Sequence, residues 1–435
     1  MSTPYWHEGV TINRHSVSRR SFLYGTSAAA AAGAFNFRDV MSVQADELRK
    51  HGKAMILLFM QGGPSQLETF DPKPDTENSG PTKAISTAVP GIQIASHWEK
   101  TAAQMKDIAI IRSMTNKEGE HGRAVYQMHT GYIPTGSIKH PSLGCNIARE
   151  LAPQERELPA VVSIDNARAG GMGGVGAGAG FLGVDYEPFH VARPGSMPDN
   201  LAPTAGESRF KRRLGLLDKL ENEFASNGGE VVVQNHRRIT EKSSKLVLSP
   251  MNKTFDFDGE SAETKAMYGD TDFGRGCLLA RRLVESGVTF VEVRLGNWDT
   301  HDDNFDRVQG LSRECDPAVA ALIADLKQRG LFDSTLIAWT GEFGRTPRIN
   351  PRNGRDHWPR NFNALLAGGG VKGGQVIGET SKDGTSLMKD PVSVPDLFCS
   401  ICKSLDVNPA KENMSPIGRP MKIVDGGKPV DGLFA

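Results

Sequence analysis

The chain is 435 residues long, with 51 basic and 51 acidic side chains and 38% hydrophobic residues. This balance gives no electrostatic case for nucleic acid or an anionic membrane surface as a partner. The length allows one large or two medium domains, and past the first forty positions no apolar run is long enough to span a bilayer.

Near the start, Ser18-Arg19-Arg20-Ser21-Phe22-Leu23 precedes an alanine-rich stretch that ends in Ala32-Gly33-Ala34. Paired arginines, a weakly apolar run and a small-residue cleavage site together predict a twin-arginine signal peptide over residues 1–34. The duller alternative is an alanine-rich helix of the mature chain. The signal reading makes the Tat translocase a partner during export and places the protein in the periplasm or outside the cell. It also suits a chain that folds and acquires a metal before transport.

The all-apolar run 54–60 predicts a first strand, turned by Gln61-Gly62-Gly63-Pro64-Ser65. Ser65-Gln66-Leu67-Glu68 has the form of a capping box, so a short helix is expected there, broken by Asp71-Pro72-Lys73-Pro74. A second strand is expected at 108–112, then helices at 118–132 (stopped by Gly131) and 142–151, then a strand at 159–164. Residues 169–183 are glycine-rich. Gly171-Met172-Gly173-Gly174-Val175-Gly176 matches a dinucleotide fingerprint, but no helix of useful length follows before Pro188 and there is no Gly-Lys-Ser/Thr. A surface loop is the better account. Helical patterns at 209–224 and 231–246 extend this into an insertion spanning about 165–260.

A helix at 275–286 feeds a strand at 288–295, a long helix at 306–329 feeds a strand at 334–340, and a short strand follows at 363–367. The five cysteines are sparse and odd in number, so they form no disulfide framework. Cys399-Ser400-Ile401-Cys402 lies in a segment with helical apolar spacing, which reads as buried thiols. Strand–helix alternation predicts an α/β fold: a three-layer α/β/α sandwich with a mostly parallel central sheet, forming one domain over 51–435.

Chemistry-bearing residues follow two of these strands. Asn297-Trp298-Asp299-Thr300-His301-Asp302-Asp303 comes after the 288–295 run, and Gly341-Glu342-Phe343-Gly344-Arg345 after the 334–340 run, with Arg355-Asp356-His357-Trp358 beyond. Open α/β sheets place their sites at the C-terminal ends of strands, and Asp, Glu and His are ligands for zinc or another divalent ion. Asp299 and His301 are expected as ligands, with Asp302 or Asp303 capping the next helix. Glu342 is a ligand, a general base or the partner of Arg345, and Asp356-His357 repeats the carboxylate–imidazole pairing. Arg345, Arg348 and Arg355 either bind a tetrahedral anion or neutralise these carboxylates. On the 118–132 helix, His129 is expected to be packed, and His121, near the helix start, is a ligand, a general acid–base or a nucleophile.

The Arg19-Arg20 signal, Gln61-Gly-Gly-Pro-Ser-Gln-Leu-Glu-Thr-Phe-Asp71, Trp298-Asp-Thr-His301, Gly341-Glu-Phe-Gly-Arg-Thr346 and Gly354-Arg-Asp-His-Trp358 together resemble the DUF1501 family of exported, sulfatase-like proteins. That family in turn resembles the alkaline phosphatase superfamily. The resemblance implies an alkaline-phosphatase-like sandwich. It also implies a divalent metal, zinc with manganese or calcium as alternatives, held by Asp299, His301, Glu342, Asp356 and His357. Three departures stand out. Gln61 occupies the place of a superfamily carboxylate, Glu342-Phe343 replaces Asp-His, and no Cys-x-Pro-x-Arg exists, which disfavours a formylglycine sulfatase. Aligning Thr130-Gly131 with the sulfatase motif puts His121 at the nucleophile position. The expectation is therefore a metal-dependent hydrolase of phosphate or sulfate esters, small or polysaccharide. His121 would attack or relay a proton and Arg345 would hold the anion. The rival is a non-catalytic exported binding protein on the same scaffold.

Overall fold

The computed structural model describes residues 52–165, 178–203 and 206–434. The expected signal peptide and the glycine fingerprint at 171–176 lie outside the described residues.

A nine-stranded sheet forms the centre. Its strands are β1 (Ala54–Met60), β2 (Ile108–Thr115), β3 (Val161–Asp165), β4 (Phe189–Val191), β5 (Phe290–Leu295), β6 (Thr335–Thr340), β9 (Phe362–Gly368), β10 (Gln375–Ile377) and β11 (Val392–Ser393). A separate two-stranded ribbon pairs β7 (Gly344–Arg345) with β8 (His357–Trp358). The spatial order is β10-β2-β9-β6-β1-β5-β3-β4, with β11 beside β2. Only β9 runs against its neighbours, β2 and β6; every other pairing is parallel. The sheet is therefore mixed and mostly parallel, as the alternation of elements predicts. β1, β5 and β6 are buried along their whole length, which is why they read as continuous apolar runs rather than alternating ones.

Helices cover both faces. On one side lie α5 (Asp272–Glu285) and α6 (Asn304–Gln328), on the other α1 (His121–Thr130), α2 (Leu143–Leu151) and α7 (Val394–Ser404). Ile56, Leu58, Val291, Val293, Ile337 and Trp339 face α5 and α6 with Leu279, Leu283, Leu322 and Ile323. Met55, Leu57, Phe59, Phe290 and Ala338 face Val125, Met128, Ile147, Leu397 and Phe398. Each side chain of this kind contributes about 1.5–3 kcal/mol when fully buried. α3 (Glu207–Phe224) and α4 (Glu230–Leu248) form a hairpin within the expected insertion, which also supplies edge strand β4.

Helix limits follow local chemistry. The Glu120 carboxylate accepts from the Gly122 and Arg123 amides and starts α1, and Gly131, at φ 77, ends it. One expectation fails and another holds only in position. Residues 65–68 form turns rather than a helix, because the Glu68 carboxylate is buried in a two-point ion pair with Arg355 instead of reaching back to cap. Asp303 does stand at the N-cap of α6, but in a left-handed conformation (φ 47) with no side-chain cap, and Asp302 pairs with Arg352. The cysteines are all buried and free, with Cys399 and Cys402 on α7, as their helical spacing predicts. No helix among the described residues is long and apolar enough to cross a membrane.

Candidate metal centre

Three loops leave adjacent parallel strands β6, β1 and β5 at their C-terminal ends and interlock. The Trp298 amide donates to the Gln61 carbonyl, and the Gly62 amide donates to the Glu342 carboxylate at 2.9 and 3.2 Å. Gly62 has φ 115, and a Cβ there would collide with the backbone of Trp298 and Asp299, so only glycine lets the loops close this tightly. Beneath them Trp298, Trp339, Phe70 and Trp98 pack edge to face or tilted, a rigid floor for the loop that carries Asp299.

The second half of the site hangs on a buried brace. Arg355 grips Glu68 at 3.0 and 2.8 Å, and its amide donates to the Thr300 carbonyl. Glu68 also accepts from Asn304, which receives the Thr300 hydroxyl. Pairing of β8 with β7 then sets His357 opposite Arg345. His121 arrives from the first residue of α1, across the sheet.

These elements bring four donor atoms together. Asp299 Oδ1 lies 3.3 Å from His121 Nε2, 3.2 Å from His301 Nε2 and 3.5 Å from His357 Nε2, and His301 Nε2 lies 3.0 Å from His357 Nε2. Donors held at about 2.0–2.2 Å from a tetrahedral ion stand roughly 3.3–3.6 Å apart, and the ligand atoms of His121, Asp299 and His357, all within 4.8 Å of one another, form a group that could hold an ion. The far nitrogens are all spoken for. Nδ1 of His121 faces Glu342 at 2.7 Å, that of His301 faces Asp356 at 2.8 Å, and that of His357 faces the Gly119 carbonyl at 2.8 Å. Each of these partners is an acceptor, so each Nδ1 donates, which leaves each Nε2 as the atom that an ion would take once it is deprotonated. This is the usual support of metal-bound histidines. Nε2 of His121 lacks an aligned hydrogen-bond partner although it lies 3.3 Å from Asp299 Oδ1. The rim is open, with the Asp299 side chain 44% exposed and that of His121 only 12%.

The site's electrostatics follow from this crowding. Burial works against a charged His121, but its contacts with Asp299 and Glu342 outweigh that and raise its pKa to about 9. Burial would raise the Asp299 pKa, yet His121, His357 and the Arg345 guanidinium hold it well below the usual carboxylate range. The hydrogen bond from His301 likewise lowers Asp356.

Of the residues predicted from sequence, Asp299, His301 and His357 converge directly. Glu342 and Asp356, expected as ligands, stand one step back, behind the imidazoles of His121 and His301. Arg345, expected to hold an anion, is wholly buried. It donates to the carbonyls of Gly62, Gly63 and Arg355 and reaches Asp299 Oδ1 at 2.5 Å, so it positions that carboxylate. Arg355 is consumed by Glu68. His129 is packed, as predicted. The Glu68–Arg355 brace and the Gly119 carbonyl escaped sequence reasoning. Glu68 did carry a signal, a carboxylate in an apolar-flanked turn, but it read as a cap.

Several solved structures are similar in fold at low identity. PsFucS1 sulfatase from Pseudoalteromonas sp. matches at 14% identity over 85% of this chain and 71% of its own, with a TM-score of 0.39. The lipoteichoic acid synthase LtaP from Listeria monocytogenes matches at 8% identity over 86% and 75%, with a TM-score of 0.39. The phosphonate monoester hydrolase SpPMH from Silicibacter pomeroyi matches at 12% identity over 87% and 75%, with a TM-score of 0.36. No curated protein matches in sequence. The model of the family described as "Protein of unknown function (DUF1501)" matches residues 52–434, and the chain belongs to that family.

Proposed function

We propose that the protein is an exported, metal-dependent hydrolase of phosphate or sulfate esters, small or polysaccharide, delivered to the periplasm or cell exterior through the Tat translocase. The observation that carries this reading is the convergence of three inward-facing imidazole nitrogens and one carboxylate oxygen at the open C-terminal edge of a parallel sheet. Asp299, His301 and His357 would hold the ion, with His121 beside it. A set this rich in imidazole favours zinc over calcium or manganese. When bound, such an ion supplies Lewis-acid polarisation of an ester oxygen and charge neutralisation.

The protein's own groups divide the remaining work. His121 turns Nε2 toward Asp299 and would be the group that attacks or moves a proton, with Glu342 holding its Nδ1–H and steadying positive charge on the ring. Arg345 keeps Asp299 aimed inward. The absence of a Cys-x-Pro-x-Arg motif and the burial of all five cysteines support a reading without formylglycine.

One observation favours a second reading, a non-catalytic exported protein that binds a sulfated or phosphorylated glycan or a surface partner. His121 as a fourth donor would close the tetrahedron, and closed sites are structural. The test is metal analysis of the mature protein followed by a phosphomonoester, phosphodiester and sulfate-ester screen, with a His121→Ala variant. Turnover that disappears in the variant while metal is retained supports the hydrolase. Bound metal without turnover on any ester, together with ligand binding unaffected by chelator, moves the assignment to the second reading.

A further inference from the structure

The hairpin of α3 and α4 takes no part in the metal centre. α3 is 18 residues long and none of its residues is buried. Its inner face is accounted for: Glu221 pairs with His236 and Arg237, and Asp218 lies 3.5 Å from Arg237. Its outer face is not. Leu216, Leu220 and Phe224 recur every fourth residue and so form one stripe, and they are 60%, 57% and 58% exposed. Of the ten large apolar side chains exposed among the described residues, five belong to this hairpin, so the exposure is concentrated rather than scattered.

Charge selects the occupant. Toward the start of α3 the stripe continues into Arg212 and Arg213, which are exposed and have no ion pair among the described residues. At the other end stands Glu223, also exposed and without an ion pair among them. A stripe that is basic at one end and acidic at the other complements a second copy of itself laid antiparallel about a two-fold axis. The register that sets Arg213 against Glu223 of the second copy also sets Leu216 against Leu220, since both pairs are centred on residue 218.

We propose that α3 is a homodimerisation helix, pairing antiparallel with α3 of a second copy through Leu216, Leu220 and Phe224, with reciprocal Arg213–Glu223 contacts at the ends. The two hairpins would then form a four-helix junction with the metal centres outside it.

The test is sedimentation equilibrium of the full chain from micromolar to hundreds of micromolar, with circular dichroism and metal content as controls for folding. A dimer is expected, weakened at least about tenfold by Leu220→Glu, a substitution at the centre of the interface. Arg213→Glu should weaken it less, and R213E/E223R on the same chain should restore it, because a two-fold contact repairs itself when both charges are exchanged. A monomer throughout, a dimer indifferent to Leu220→Glu, or a double variant no better than R213E would each overturn the proposal. A monomer in which an introduced Leu220→Cys thiol resists labelling would also overturn it, and would give the face to another segment such as residues 1–51. The five native cysteines are buried, so the label would report on the new thiol.

Discussion

His121 and His129 sit on the same helix, eight residues apart, and each meets a buried glutamate, Glu342 in the loop after β6 for His121 and Glu292 on β5 for His129. His129 spends both ring nitrogens, one on Glu292 at 2.8 Å and one on the Val125 carbonyl at 2.8 Å, and its ring packs 4.5 Å from that of Phe59. His121 spends one nitrogen on Glu342 and turns the other toward Asp299 and His357. Residue type, helix and partner are alike, and the difference lies in the unspent nitrogen. A fully satisfied imidazole reads as a core residue, and a half-satisfied one aimed at other donors is the candidate for chemistry.

The sharpest way to break this comparison is at the cluster. Asp299→Ala or His357→Ala should abolish stoichiometric metal, read by elemental analysis, and with it any ester turnover. Metal retained in both variants would leave the four-donor centre without support. At the other histidine the outcomes should reverse. His129→Ala opens a void beside Phe59 and removes one partner of Glu292, so denaturant unfolding should show a loss of about 3 kcal/mol. Metal content should stay unchanged.

A smaller effect is expected behind the imidazoles. Glu342→Gln keeps the shape but weakens the hold on the His121 Nδ1–H, and metal affinity should fall about 10–100-fold, measured by competition with a chelating dye. Arg345→Lys tests the same idea on Asp299, since an ammonium cannot span the carbonyls that the guanidinium joins.

The smallest effect is on pH dependence. Burial would raise the Glu292 pKa, but Arg294 and His129 outweigh it and hold the carboxylate far below its ordinary 4.5. A carboxylate with a depressed folded pKa stabilises the protein above its unfolded pKa, and that stability is lost as pH falls below about 4.5. The urea midpoint should therefore drop between pH 5 and pH 3, and Glu292→Gln should flatten the drop. Metal should leave earlier on acidification, because imidazole must be deprotonated to bind an ion.

Much of this arrangement is legible from sequence because it depends on local signals. β1, with its unbroken Ala-Met-Ile-Leu-Leu-Phe-Met, stands where the apolar run places it. Asp299, His301 and His357 declare themselves by following strands or lying in a tight loop. The support does not. Arg355 and Glu68 are 287 residues apart, and no periodicity links them. The same blindness turned Ser65-Gln-Leu-Glu68 into a helix, since a capping box is a short-range rule and a buried guanidinium overrode it. Glu342 and Asp356 are expected as ligands from their spacing, and in the structure their carboxylates face Nδ1 of His121 and His301, because spacing shows which residues gather and not which atom faces the centre.

The brace also bears on the order of biosynthesis. His121 belongs to the first third of the chain, and the carbonyl it shares a loop with, Gly119, touches His357 across 238 residues. A nascent chain that has emerged only as far as α6 owns His121, Asp299 and His301 but neither His357 nor the Arg355 anchor. An ion held as proposed would be captured in its final setting only after the ribosome has passed the last of these positions. Its loading would then be a late checkpoint on a nearly complete polypeptide, one that a truncated product would reach empty.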